Sequence, residues 1–155
     1  MSQKSLIVVE SPSKARTIEQ YLEGEFEVIA CVGHVKDLPS NKLGIDIEND
    51  FEMTLDILPN RKDFVKELRK KSASAERVYI ASDPDREGEA IAAHLASEVP
   101  EEKLERVEFT EITKTGVKEG MSNSRKLNNN LISSQKTRRI IDRLVGYKVS
   151  PVLWA

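Results

Sequence analysis

The chain has 155 residues, 39% apolar and 32% charged, enough for one folded core of ordinary size under a heavily charged surface. No run approaches the ~20 apolar residues of a membrane-spanning helix, Leu6–Val9 is too short for a signal peptide, and the single Cys31 rules out an internal disulfide, so the expectation is a soluble, cytoplasmic protein. The formal net charge of −2 is unevenly spread: residues 125–155 carry seven Lys/Arg against Asp142 alone, a net +6, while residues 1–124 hold 17 bases against 25 acids, a net −8. An acidic body suits cations and a basic tail suits phosphate, although a basic solvated helix would look the same.

In chain order, the first predicted strand is Leu6–Val9, followed by a helix over about Lys14–Leu22 and a second strand, Val28–Val32. Residues 36–59 interrupt this rhythm with Pro39, Gly44, Asn49 and Pro59, which predict a surface excursion of short strands. A helix over Lys62–Lys71, a strand at Val78–Ala81 and a helix over Glu87–Ser97 come next, then a strand at Val107–Phe109 and a helix over Lys114–Gly120. Strands alternating with helices predict an α/β fold: a Rossmann-like parallel sheet of about four strands, flanked by helices on both faces. The polar stretch 122–130 reads as a linker between a body, 1–121, and a C-terminal helical segment, 131–155. Within that segment a helix is predicted from about Ser133 to a cap at Gly146, with Pro151 as a stop. The apolar run that closes the sequence, Val149 to Trp154, predicts a piece of a larger protein.

Ligands of parallel α/β sheets bind beyond the carboxyl ends of the strands. Glu10 follows the first strand, and Asp83, Asp85 and Glu87 follow the strand at Val78–Ala81. Four carboxylates on one edge repel unless a hard divalent cation neutralises them, and an all-oxygen donor set favours Mg²⁺. The competing reading makes Asp83-Pro84-Asp85 a turn, with Glu87 and Glu89 favouring the start of a helix. Lys14 stands where the Ser11-Pro12-Ser13 turn opens the first helix, a place for a phosphate or simply a surface lysine. Arg86 and Arg106 are within reach of the acids or are plain salt-bridge partners, and His94 reads as packing.

Three longer stretches carry a resemblance: Val8-Val9-Glu10-Ser11-Pro12-Ser13-Lys14-Ala15, Gly33-His34-Val35-Lys36-Asp37-Leu38-Pro39, and Ser82-Asp83-Pro84-Asp85-Arg86-Glu87-Gly88-Glu89-Ala90-Ile91-Ala92. Together with Phe109–Lys114 and Gln135–Trp154, they resemble the TOPRIM domain of bacterial type IA DNA topoisomerase I and the start of its helical single-strand-binding domain. The resemblance implies Mg²⁺-dependent, ATP-independent cleavage and rejoining of one strand of single-stranded or negatively supercoiled DNA by a monomer, through a 5′-phosphotyrosine. It implies that Glu10 is catalytic, moving a proton to and from the leaving 3′ oxygen and assisting the metal, and that Lys14 stabilises charge on the phosphate. Asp83, Asp85 and Glu87 would complete the Mg²⁺ site, and His34, Arg106, Arg139, Ile140, Asp142, Arg143 and Lys148 would meet DNA. Tyr21, Tyr79 and Tyr147 lack the family nucleophile's Arg-Thr-containing surroundings. The nucleophile would therefore lie in the remaining domains of a full-length enzyme, leaving this chain half an active site. Ser134-Gln135-Lys136-Thr137 departs from the family's more usual Ala-Gln-Gln-Ala. The nearest alternatives are a free-standing TOPRIM metal-dependent nuclease using water, and, more distantly, a phosphate-accepting receiver domain.

Overall fold

A computed structural model describes residues 4–39 and 42–154, with side chains described as far as Gly146. The elements run β1 (Ser5–Val9), α1 (Pro12–Tyr21), β2 (Phe26–Ala30), β3 (Lys36–Asp37), β4 (Ile45–Asp46), β5 (Glu52–Met53) and β6 (Asp56–Ile57). They continue with α2 (Lys62–Ser74), β7 (Val78–Ile80), α3 (Arg86–Ala96), β8 (Leu104–Arg106), α4 (Lys114–Ser122) and α5 (Asn129–Trp154). Four strands form one sheet in the order β2-β1-β7-β8, every neighbouring pair parallel. The excursion predicted for residues 36–59 is two small antiparallel ribbons, β3 with β6 and β4 with β5.

The period-2 alternation of a strand explains why β1 is central. Leu6 and Val8 face one side, where Val65, Leu68, Ile91 and Leu95 of α2 and α3 cover them. Ile7 and Val9 face the other, against Ala15 and Ile18 of α1 and Val117 of α4. With both faces packed, β1 reads as an unbroken apolar run. Helix starts are set by local chemistry: Pro12 occupies the first turn of α1, Asp85 caps α3 by accepting from the Gly88 amide, and Thr113 caps α4 by accepting from the Gly116 amide at 3.0 Å. Replacing Thr113 by alanine is expected to cost about 1 kcal/mol of stability in denaturant unfolding, with the sheet unchanged.

Two expectations are corrected. The edge strand is Leu104–Arg106 rather than Val107–Phe109, although the Val107 amide still donates to the Ile80 carbonyl at 3.0 Å. Its charged residues hide it in the sequence, yet each is satisfied: Glu105 pairs with Arg77, and Arg106 is buried against Glu89. The last helix is also longer than Ser133–Gly146. It starts at Asn129 because the Asn128 side chain accepts from the Leu131 amide at 3.2 Å. Gly146 does not adopt the left-handed conformation of a helix cap, and the backbone helix continues through Pro151, which removes one donor without forcing a turn. No helix among the described residues is long and apolar enough to cross a membrane.

Candidate metal and nucleic-acid site

Because β1, β2 and β7 are parallel, their carboxyl ends open on one edge, and the segments that follow them meet there. The Cys31 amide donates to the Val9 carbonyl, the Val32 amide to the Glu10 carbonyl, and the Ala81 amide to the Val8 carbonyl. Glu10 thus lies between the chain leaving β2 and the chain leaving β7. Its Oε1 accepts from the Asp83 amide at 2.8 Å. Lys14, from the first turn of α1, points back across the edge with Nζ 3.6 Å from Asp83 Oδ1. Asp85 Oδ1 accepts from the Gly88 amide at 2.7 Å. Glu87 Oε2 lies 2.9 Å from Nε2 of His34, which comes from the loop after β2. The two readings of Asp83-Pro84-Asp85 therefore coexist: Asp85 caps a helix, and the same turn sets the acids at the strand edge.

The loop is fixed from below. A Cβ added to Gly88 would sit 1.8 Å from the Asp83 carbonyl oxygen, so α3 starts in direct contact with the backbone that carries Asp83. Buried Ser82 donates to the Gly88 carbonyl at 2.7 Å. Beside Glu10, Val32 holds a φ of +55°, rare for a β-branched residue, and is 53% exposed. Its carbonyl accepts from Arg61 Nη2 at 2.9 Å. This strained, exposed valine carries no signal in the sequence apart from the adjacent Gly33.

The donor set of the edge is oxygen only and formally tetra-anionic, which fits a hard divalent cation. Among the described residues, however, no three acidic, His or Cys side chains stand close enough together to enclose a metal ion. Asp83 turns towards Lys14 and Glu87 towards His34, so each carboxylate is engaged by a neighbour of its own. Both carboxylates are more than half exposed and free to turn.

The basic helix α5 packs along α3. Arg139 Nε donates to Asp37 Oδ1 at 2.9 Å, and Arg143 donates to the carbonyls of Lys42, at 2.5 Å, Leu43, at 3.2 Å, and Pro39. Ile140 is half-buried, Asp142 is exposed, and the side chain of Lys148 lies outside the described residues. A cleft of about 260 Å³ runs from His34 and Glu87 to Arg138, Arg139 and Asp142 on α5, joining the acid edge to the basic helix. Arg106 requires a correction. Expected at DNA, it is 1% exposed, and its guanidinium donates to Glu89 and to the carbonyls of Ile80, Val107 and Asp83, so no phosphate reaches it. Two residues carry structural weight beyond their sequence reading: Glu89, there a helix-start acid, is fully buried, and Arg125, there one charge of the basic tail, pairs with it. An acid directly ahead of the apolar run Ala90-Ile91-Ala92 was the available signal for Glu89.

A four-stranded parallel sheet flanked by helices, with acids gathered at its carboxyl edge, defines a Rossmann-like α/β domain, and the comparison with known families makes the assignment specific. Residues 5–112 match the Toprim domain, and the chain belongs to that family. It is also similar in structure to full-length topoisomerase I from Thermotoga maritima, with a TM-score of 0.89 and 43% identity over 96% of this chain. The match covers 26% of that protein, so the chain spans about a quarter of its length.

Proposed function

We propose that this chain is the N-terminal part of a type IA DNA topoisomerase, an ATP-independent cytoplasmic enzyme that cleaves and rejoins one DNA strand to relax negative supercoils. The observation that carries the reading is the junction of Glu10 and Asp83 at the sheet edge, with Lys14 beside them. In this reading Asp83, Asp85 and Glu87, with Glu10, hold Mg²⁺. When bound, the cation offsets the acids' repulsion and brings positive charge to the DNA phosphate. Lys14, whose ammonium lies 3.6 Å from Asp83 across the same edge, would face the phosphate, where charge develops in the transition state. Glu10, anchored through one oxygen to the Asp83 amide, keeps the other for a proton passing to or from the 3′ oxygen. The nucleophilic tyrosine belongs to the rest of a full-length enzyme, Arg139 and Arg143 of α5 exchange their present partners for the DNA backbone, and Lys148 of the same helix meets it with them.

The test incubates the purified chain and its Glu10→Ala variant with end-labelled single-stranded DNA and Mg²⁺, beside calorimetric Mg²⁺ titration of the wild type and the double variant Asp83→Asn/Asp85→Asn. The expected result is Mg²⁺ binding weakened at least tenfold in the double variant, and no strand cleavage by the chain alone. Cleavage that disappears in Glu10→Ala would establish a self-sufficient Toprim nuclease instead. Unchanged Mg²⁺ binding in the double variant would remove the acids from the site.

A further inference from the structure

The acid edge and the basic helix are joined by one buried carboxylate. Glu89 is fully buried in the first turns of α3. Its Oε1 accepts from Arg106 Nε at 3.2 Å and from Arg125 Nη2, and its Oε2 accepts from the Asn128 amide at 3.1 Å. Burial works against its ionisation, but the hydrogen bond from Arg125, the Asn128 amide and the charge of Arg106 outweigh it and hold the carboxyl below its ordinary range. An ion buried so completely is costly unless each partner is well placed, so all of these groups are fixed in position.

Each partner then reaches elsewhere. Arg106 extends Nη2 to the Asp83 carbonyl at 3.0 Å and Nη1 to the carbonyls of Ile80, at 3.1 Å, and Val107, at 2.7 Å. That clamps the backbone between the end of β7 and the first acid of the loop. On the other side, Arg125 pairs its backbone with Arg106 in an antiparallel bridge and its side chain with Glu108. Asn128 is the cap that starts α5. One carboxylate therefore sits between the clamp on Asp83 and the cap of the basic helix.

We infer that Glu89 is a positioning residue: it sets the acid loop through Arg106 and the start of α5 through Arg125 and Asn128, so cation binding at the loop and the placement of the basic helix are tied together. The inference rests on the metal reading given above. A bound cation needs the Asp83 carbonyl to stay where Arg106 holds it, and partners of this outer kind typically change metal affinity 10- to 100-fold. By linkage, whatever tightens the loop also steadies α5, and the reverse.

The test measures Mg²⁺ binding by calorimetry and amide exchange by NMR on the chain, its Glu89→Gln variant and its Arg106→Lys variant. Glutamine keeps the shape and loses the charge. Lysine keeps a charge near Glu89 but cannot fork to the Asp83 carbonyl. Glu89→Gln is expected to bind Mg²⁺ about tenfold more weakly and to exchange faster at both Gly88 and Leu131. Arg106→Lys is expected to lose Mg²⁺ affinity by a similar factor, with faster exchange at Gly88 alone. Wild-type Mg²⁺ affinity in either folded variant would overturn the inference while leaving the metal reading intact. Absence of Mg²⁺ binding by the wild type would overturn the metal reading, and this inference with it. If Glu89→Gln does not fold by circular dichroism, Arg106→Lys alone decides.

Discussion

Replacing Gly88 by alanine is expected to weaken the protein's grip on Mg²⁺ at least tenfold and to cost about 1–3 kcal/mol of its stability or more. The added Cβ would lie 1.8 Å from the Asp83 carbonyl oxygen, 2.6 Å from its carbon and 3.0 Å from the Asp83 amide nitrogen. All three are backbone atoms, so no side-chain rotation relieves the contact. Nor can the loop retreat cheaply, because the same carbonyl is held by Arg106 at 3.0 Å and the Asp83 amide by Glu10 at 2.8 Å. Overpacking of this kind costs about 1–3 kcal/mol or more, and a reacting group displaced by an ångström loses about 10²-fold in rate. Calorimetry should show at least a tenfold weaker Mg²⁺ affinity, and urea unfolding a lower midpoint. Gly146→Ala provides the contrast. Among the described residues nothing lies within 4 Å of its added Cβ, and the residue is inside a helix, so alanine there should stabilise by about 0.5–1 kcal/mol. Equal behaviour of the two variants would refute the packing argument.

The contrast between those glycines also marks what a sequence exposes and what it conceals. Parallel strands with two buried faces are visible as runs such as Leu6–Val9, and the convergence of Glu10 with Asp83 follows from strand ends on one edge. The family motifs around Glu10, His34 and Asp83 are legible for the same reason, since each begins at or just after the end of a strand of the sheet. What stayed hidden depends on partners distant in sequence. Arg106 looks like a cation for phosphate until its buried counter-charge, 17 residues away, is known. The strand Leu104–Arg106 looks polar because its charges are neutralised across the fold by Arg77 and Glu89. Gly146 and Pro151 carry the local signs of a helix end, yet the backbone runs on through both. Local chemistry proposed a stop that the surrounding structure did not enforce.

Between pH 7 and pH 5 the protein is expected to lose about 2 kcal/mol of stability through a single histidine. His94 lies in the cleft between α3, the β3–β6 ribbon and α5, with Nδ1 buried and no partner for it among the described residues. Burial is the main cause that lowers its pKa from 6.5 to about 4; nearby His34, Lys36 and Lys136 add to it, and Asp37 opposes. The unfolded chain therefore takes up a proton between pH 6.5 and pH 4 that the folded chain refuses, so stability falls as the pH drops through that window. For a chain of this size the loss from pH 7 to pH 5 corresponds to roughly 4–8 °C in melting temperature. His94→Gln, neutral throughout, should flatten the profile over this range. It should leave untouched a second decline below about pH 4.5. There the carboxylates of buried Glu89 and half-buried Glu98, held below that ordinary value by Arg125 and Arg106 and by Arg69 and Lys36 despite their desolvation, finally take up protons and release their partners. A wild-type melting temperature that stays level from pH 7 to pH 5 would mean that water reaches Nδ1 and that the cleft is wetter than its packing implies. A variant that removes the upper slope and keeps the lower one would separate the histidine in the cleft from the buried ion pairs that set the acid loop.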